Sequence, residues 1–456
     1  MHNFDELRKE YPTFEYLGYD IKNENGVIAV RYHMEIPGLS EFEPTWEFPC
    51  RGDGYADVST SDPVLNRLIF SLGMVECISY YKLACPKVLN VHHESLSIEQ
   101  LKWWRKLFYN GLGEFRYKNG IKTTKRDFLD IRCIDNDGTK GFGILHDSKY
   151  YSGCLVPVGG GKDSVVSLEL LKGMGITTFT INGNQTTRNV IDTCYEKLSD
   201  YVCRRTLDKR MLDLNAEGYL NGHTPFSAIV AFATVISAYL SGRKYIALSN
   251  ENSANESTVK DSNINHQYSK SFEFEEDFRW YIRNMTDSEI EYFSFLRPLT
   301  ELQIAYIFSG CKKYHPVFRS CNAGSKEGIW CCNCPKCLFV YTALSPFIPE
   351  DELIRIFGEK LLDKDSLDEN FRELSGIEEN KPFECVGTRR EVQICAKTYI
   401  QRGARSLLTD RYKDILMKSP LGEKEMKRVL SEWNSEHNLP EEFEKLLRAK
   451  LDEYSR

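Results

Sequence analysis

The first part of the chain mixes two hydrophobic periods. The stretch GVIAVRYHMEI, Gly26–Ile36, alternates apolar and polar residues as a strand does. In SIEQLKWWRKLFYNGL, Ser97–Leu112, the apolar residues recur at helical spacing. We therefore predict an α+β domain over residues 1–150. Its polar turns and aromatic residues indicate no particular chemistry.

From Tyr151 the pattern becomes strand, loop, helix, strand. CLVPV is followed by GGGKDS, by the helical VVSLELLKGMG and by ITTFTING. A second unit follows, in which the apolar helix TPFSAIVAFATVISAYLSG precedes the strand KYIALSNEN. Repeated βα units predict an α/β fold, with a parallel sheet and helices on both faces, over residues 151–345.

The last part of the chain reads as charged helices. DELIRIFGEKLL and EEFEKLLRAKLDEYSR each carry one apolar stripe between solvated faces. We predict a mainly helical C-terminal region over residues 346–456.

Composition limits the class of partner. The 456 residues contain no run of 18 apolar residues and no basic-then-apolar start, which predicts a cytoplasmic protein without a membrane partner. The formal net charge of -7 disfavours nucleic acid, because binding to a phosphate backbone depends on Lys and Arg contacts. Small molecules are the expected partners, and the sequence does not indicate an oligomeric state.

The loop GGGKDS has the composition of a phosphate-binding loop. A P-loop would have Ser or Thr after Lys162, where Asp163 stands, and the dinucleotide fingerprint would have glycine at Ser164. There remains a loop whose bare amides can approach an anion at a helix N-terminus. The alternative is a tight turn with Asp163 as N-cap. The candidate nucleotide-binding residues are Gly159, Gly160, Gly161, Lys162, Asp163 and Ser164.

A dense polar run, Ser249–Glu275, follows the second predicted strand. Ligands bind at the carboxyl ends of strands in open α/β sheets, so we expect substrate and Mg²⁺ contacts here. A solvated connection is the alternative. The run carries Asn250, Glu251, Asn255, Glu256, Asn265, His266, Gln267, Tyr268 and Lys270.

Five of the fifteen cysteines lie between Cys321 and Cys337. Four thiolates at C-x9-C-x2-C-x2-C can close a tetrahedral structural zinc site. The predicted ligands are Cys321, Cys331, Cys334 and Cys337. Spacing alone also allows Cys332 in place of Cys331, whereas a redox Cys-x-x-Cys pair would lack a thioredoxin-like context and leave Cys321 unexplained.

The stretch KPFECVGTRREV is a further candidate. Glu384, Cys385 and the pair Arg389 and Arg390 could bring together a carboxylate, a thiol and a phosphate clamp. A lone cysteine is more often a small core residue.

GGGKDS resembles the SGGxDS loop of the PP-loop ATP pyrophosphatases, with Gly159 in place of the first serine. The motifs together, in their order and spacing over roughly Tyr151–Glu391, resemble the UDP-N-acetylmuramoyl-L-alanyl-L-glutamate epimerases, the MurL family. The resemblance implies an adenine nucleotide alpha-hydrolase-like fold, ATP and Mg²⁺ as cofactors, and UDP-MurNAc-L-Ala-L-Glu as substrate. It also implies epimerisation of the terminal L-glutamate through an acyl-adenylate, with release of AMP and pyrophosphate.

Inversion at a carbon needs groups that exchange a proton on opposite faces. The candidates are His266, Cys385, Glu251, Lys270 and Tyr268, with His266 and Cys385 ranked first. Two rival functions stay open: another PP-loop adenylating enzyme that forms an amide, a nitrile or a thio-base, and a nucleotide-binding regulatory module without turnover. An assay for AMP release with candidate substrates separates the module from the enzymes.

Overall fold

The computed structural model describes residues 2–50, 58–134, 143–194, 198–255, 258 and 264–454. The strands are β1 Thr13–Glu24, β2 Val27–Ile36, β3 Ser40–Phe42, β4 Thr45–Pro49, β5 Val88–Val91, β6 Asp130–Cys133, β7 Cys154–Pro157, β8 Ile176–Ile181, β9 Ser199–Thr206, β10 Tyr245–Leu248 and β11 Glu291–Ser294. The helices are α1 Phe4–Glu10, α2 Pro63–Tyr81, α3 Ile98–Gly111, α4 Gly113–Lys118, α5 Lys125–Phe128, α6 Lys162–Leu170, α7 Gln185–Asp192, α8 Lys209–Ala216, α9 Phe226–Ser241, α10 Phe272–Arg283, α11 Glu301–Gly310, α12 Pro335–Leu344, α13 Glu350–Phe357, α14 Asp368–Ser375, α15 Arg389–Gln401, α16 Leu407–Arg411, α17 Lys413–Lys418, α18 Glu423–Val429 and α19 Glu441–Tyr454. The predicted α/β class is confirmed.

The chain divides into two compact units, each built from discontinuous segments. The first unit comprises Met1–Leu155, Tyr201–Ile246 and Tyr268–Tyr292. The second unit comprises Val156–Asp200, Ala247–Gln267 and Phe293–Arg456. The partition into three consecutive domains stays a prediction.

The strand pairing in the first unit is mixed. Strand β1 pairs antiparallel with β2 and parallel with β5, and β5 pairs parallel with β6. Strand β2 also pairs antiparallel with β4, and β4 pairs antiparallel with β9. The expectation of a parallel sheet holds for β7 and β10, which pair in parallel, but is wrong for β9. The reason is that β9 pairs with β4, a strand about 150 residues earlier in the chain, so no βα crossover sets the direction of this pair.

Two helices that the sequence predicted, α3 and α9, form in the first unit. Helix α3 begins after Ser97, whose side chain forms a capping box with Gln100. Helix α9 is almost wholly buried and ends at Gly242, which adopts the left-handed conformation. It packs on α2, and the Tyr239 hydroxyl donates to Asp62, the N-cap of α2, at 2.9 Å. Within the described residues, we find no helix with the length and apolar character needed to cross a bilayer.

The core of the second unit lies among helices. Helix α6 packs on α11, and α15 packs on α12 and α18. One apolar cluster joins α11, α15 and α18 and contains Leu302, Ile394, Cys395, Met426 and Val429. In α19, Phe443 and Leu447 are fully buried, and Phe443 contacts Phe293 with ring centroids 4.8 Å apart. The helical C-terminal region is therefore confirmed.

Candidate functional site

The glycine-rich loop connects β7 directly to a helix N-terminus. The Val158 amide donates to the Phe179 carbonyl at 2.9 Å, which continues the pairing of β7 with β8 up to the loop. Gly161 is the N-cap of α6 and supplies no side-chain cap. The alternative that Asp163 caps this helix is therefore wrong. Because the glycine cap brings no side chain of its own to the first-turn amides, they are suited to bind an anion.

The three glycines differ in how closely they are packed, and only Gly160 combines a close contact with a left-handed backbone. Gly160 has φ +84°, and a Cβ there would lie 2.6 Å from Thr186 Cγ2. A Cβ on Gly161 would lie 2.8 Å from Ser320 Oγ, whereas one on Gly159 would meet no atom within 4 Å among the described residues. Gly159 stands where the resembled motif has serine, and this position has room for a side chain.

Gly160→Ala is expected to lower the free energy of unfolding by about 2–5 kcal/mol, because it adds backbone strain to a steric clash. Gly159→Ala is the matched control and should change it by no more than about 0.5 kcal/mol. Urea unfolding of both variants tests this difference. Equal losses of stability in the two variants would contradict the assignment of the close contact to Gly160.

Lys162 lies at the centre of the site. Its side chain is 2% exposed, and its ammonium group donates to the carboxylates of Asp163 and Glu301. Burial alone would lower the pKa of Lys162, but the two carboxylates reverse this effect and raise it. Lys162 is therefore a buried, charged lysine at the start of the helix that follows the glycine loop.

Glu301 was not among the residues selected from the sequence. It opens α11 after Thr300, which forms a capping box with Gln303. Burial raises the pKa of the Glu301 carboxyl and the Lys162 ammonium lowers it, while the negative charges of Asp163, Glu251 and Glu391 also raise it. The signal that could have found it is an acidic residue at the first position of a helix with a Thr-x-x-Gln capping box.

Motifs far apart in sequence meet around Glu301. Glu251, from the polar run after β10, acts on its carboxyl electrostatically. Gly387, from KPFECVGTRREV, approaches so closely that a Cβ there would lie 3.0 Å from Glu301 Cγ. Glu391 accepts the Leu302 amide at 3.4 Å. The second unit thus gathers residues of the glycine-rich loop, of the polar run and of the KPFECVGTRREV stretch at one place.

The polar run is only partly engaged in this site. Asn250 donates to Ser294 Oγ at 3.1 Å, and the buried Glu251 accepts the Ser253 hydroxyl at 2.7 Å. Glu256 lies outside the described residues. Tyr268 and Lys270 belong to the first unit, where the Tyr268 ring is buried against Phe274. The solvated-loop alternative does not describe Glu251, which is 6% exposed.

The two first-ranked candidates for proton transfer, His266 and Cys385, both lie near Glu384. Burial raises the pKa of Glu384, while positive charge on Lys336 and His266 lowers it and the neighbouring Cys385 raises it. Asn322 donates to its Oε2 at 2.8 Å. His266 and Cys385 therefore lie within electrostatic range of one partly buried carboxyl, and Cys385 is partly exposed rather than a core residue.

The predicted arginine clamp is not formed. The guanidinium of Arg390 pairs with Glu425 at 2.5 Å and Glu432 at 2.9 Å. Arg389 donates to the Glu379 carbonyl at 2.6 Å. The phosphate-clamp interpretation is wrong because both side chains are committed to partners within the helical region.

The four predicted metal ligands converge. The Sγ atoms of Cys321, Cys331, Cys334 and Cys337 all lie within 4.8 Å of one another. The Cys334 sulfur caps α12 by accepting the Cys337 amide at 3.5 Å, and the Cys321 sulfur accepts the Gly324 amide at 3.3 Å. Amide donors of this kind favour thiolate over thiol.

Cys332 points away from this group. Its backbone has φ +52°, and its Sγ donates to the Phe357 carbonyl at 3.1 Å. The choice between Cys331 and Cys332, which spacing left open, is therefore decided for Cys331 by the direction of the two side chains.

Comparisons with known proteins agree with this arrangement of motifs. The family model of the MurL N-terminal domain matches residues 5–295, and that of the MurL C-terminal domain matches residues 317–411. A protein of Xanthomonas oryzae pv. oryzae named UDP-N-acetyl-alpha-D-muramoyl-L-alanyl-L-glutamate epimerase is 31% identical over 405 residues, 86% of each chain. A protein of Salinispora tropica with the same name is 36% identical over 396 residues, which cover 85% of this chain and 84% of the relative. No solved structure matches the chain. With both domain models matched in order and these relatives aligned along most of their length, the chain belongs to the MurL family.

Proposed function

We propose that this protein inverts the terminal L-glutamate of UDP-MurNAc-L-Ala-L-Glu to D-glutamate, in a reaction driven by ATP. The names of its relatives support the substrate and the epimerisation. The observation that carries the proposal is the convergence of Lys162, Glu251 and the KPFECVGT segment around Glu301 in one unit. The substrate is a charged nucleotide conjugate, so we assign the reaction to the cytoplasm.

The glycine loop fits the phosphates of ATP. Position 160 excludes a side chain, and the α6 amides with Lys162 provide donors and positive charge, while the Ser164 hydroxyl donates to the Gly161 carbonyl at 2.9 Å. Asp163 and Glu251 are oxygen donors of the kind that hold Mg²⁺, which would neutralise phosphate charge. This arrangement supports, as part of the proposal, a PP-loop fold for the second unit.

Adenylation solves the chemical problem of removing the glutamate α-hydrogen. A carbanion next to a carboxylate would add negative charge to an existing one. When a carboxylate oxygen of the substrate attacks the α-phosphorus of ATP, the bond to pyrophosphate breaks and an acyl-adenylate forms. Its neutral carbonyl delocalises the carbanion as an enolate, which positioned donors stabilise.

Proton transfer then inverts the carbon. One residue removes the α-hydrogen from one face, and a second residue donates a proton to the other face. We propose His266 and Cys385 for these roles, with Glu384 orienting them, because both act on its carboxyl. Glu251, Tyr268 and Lys270 are the further candidates. Water finally cleaves the acyl-adenylate, so that the D-product, AMP and pyrophosphate leave.

In D₂O, the product is expected to carry deuterium at the glutamate α-carbon, because a side-chain proton is renewed from solvent before it is returned. The label should require both ATP and Mg²⁺. Mass spectrometry and chiral analysis of the hydrolysed glutamate measure label and configuration, with AMP quantified in the same reaction.

The same experiment separates the rival functions. AMP formation with glutamate that stays entirely L would contradict the epimerase and favour an adenylating synthase. A protein that binds ATP without forming AMP would fit the regulatory module.

A further inference from the structure

The four clustered cysteines have the dimensions of a metal site. Their Sγ atoms are separated by 3.9 Å between Cys321 and Cys334, 3.7 Å between Cys331 and Cys337, and 3.5 Å between Cys334 and Cys337. Zn–S bonds of about 2.3 Å in a tetrahedron give S···S separations of about 3.8 Å. A disulfide would need sulfurs about 2.05 Å apart. The spacing therefore fits four thiolates around one ion.

The segment that carries the first of these cysteines also touches the glycine-rich loop. The Arg319 amide donates to the Gly160 carbonyl at 2.9 Å. The Lys162 amide donates to Ser320 Oγ at 3.4 Å. Thr186 Oγ1, beside Gly160, donates to the Ser325 carbonyl at 2.6 Å. These contacts flank Cys321 on both sides in sequence.

The backbone around these contacts is irregular. Residues 319–334, all of which the structure describes, contain no helix or strand. Such a segment needs local constraints to keep one conformation, since its backbone does not belong to a hydrogen-bonded ladder. The Arg319 side chain provides one by donating to the Gly328 carbonyl at 2.9 Å. A metal ion held by the four sulfurs would provide a stronger one, because it would join residues 321, 331, 334 and 337 at a single point.

We propose that Cys321, Cys331, Cys334 and Cys337 hold one structural zinc ion, and that this ion keeps Arg319–Ser325 in place as the wall of the glycine-rich loop. Ser320 thereby becomes a further residue of the phosphate site, with its hydroxyl at the first amide of α6. The role of Ser320 rests on the proposed nucleotide binding, whereas the metal and the wall do not.

The first experiment measures metal and fold without nucleotide. Elemental analysis of the full-length protein, purified without chelator, is expected to find one zinc per chain. Cys334→Ser should lose the metal, and Cys332→Ser is the matched control that should keep it, because the Cys332 sulfur points to Phe357. Iron instead of zinc, or metal-free protein in which all four thiols react, would overturn the zinc assignment.

The second experiment measures the loop. Zinc is removed from the wild-type protein with a chelator, or is absent in Cys334→Ser, and hydrogen exchange is followed by mass spectrometry. Peptides covering residues 158–165 are expected to exchange about tenfold faster or more, while α9 and the β1–β2 pair keep their protection. Zinc readdition to the wild type should restore slow exchange. Unchanged exchange in the loop after metal loss would overturn the proposed wall, as would a uniform increase over the whole chain.

ATP binding then tests the part that depends on the proposed function. Ser320→Ala should keep its zinc and weaken ATP binding about fivefold to tenfold, as expected for one lost hydrogen bond. Full ATP affinity in this variant would overturn the role of Ser320. A wild type that binds no ATP would instead contradict the proposed function, and the metal and exchange results would still stand.

Discussion

Replacing Lys162 with methionine is expected to lower ATP-dependent AMP formation at least about 100-fold, the size of effect seen when one charged or hydrogen-bonding group is removed from a transition-state site. The same change should lower the free energy of unfolding by about 3–5 kcal/mol, because Glu301 would be left buried without its cation. AMP release and urea unfolding measure the two effects separately.

A double variant distinguishes structure from function. In the double variant Lys162→Met with Glu301→Gln, both members of this buried ion pair are replaced by uncharged side chains. Most of the lost stability should therefore return. AMP formation should stay low, because the positive charge at the phosphates is still missing. Lys172→Met, on the exposed end of the same βα unit, is the control and should change neither quantity. Recovery of AMP formation in the double variant would show that Lys162 serves only the fold.

The second large effect is expected at the proton-transfer pair. His266→Ala and Cys385→Ser should each lower the rate of net inversion by about 100-fold to 10,000-fold, the range for a lost general acid or base. AMP formation should fall much less, because adenylation precedes proton transfer in the proposed mechanism. Chiral analysis of glutamate and AMP quantification in the same reaction give the two rates.

Deuterium exchange without inversion makes this test sharper. When one of the two residues is replaced, the other can still remove and return a proton on its own face, so L-glutamate should acquire solvent deuterium. Cys133→Ser, a partly exposed cysteine of the first unit, is the control and should invert normally. If His266→Ala or Cys385→Ser inverts glutamate at the normal rate, the replaced residue is not a proton-transfer group. Glu251, Tyr268 and Lys270 then become the candidates for that role.

Local patterns predicted the elements with a clear hydrophobic period. The strand in Gly26–Ile36 became β2, and the helix in Ser97–Leu112 became α3. Both depend on interactions within a few residues, namely the alternation of buried positions and a capping box at Ser97. The mixed pairing was not predictable in this way, because the partner of β9 is β4, which lies about 150 residues earlier in the chain.

The glycine loop, the four-cysteine spacing and the family resemblance were predictable from the amino-acid sequence, since each is a short pattern whose chemistry depends on residue type and order. Three other features became visible only in the folded chain: Glu301 pairs with Lys162, Cys331 rather than Cys332 joins the cluster, and Arg390 pairs with Glu425. These outcomes depend on side-chain direction and on contacts between distant segments. The spacing of residues along the chain does not set side-chain direction or contacts between distant segments. The same local pattern allows many arrangements, and packing selects one of them.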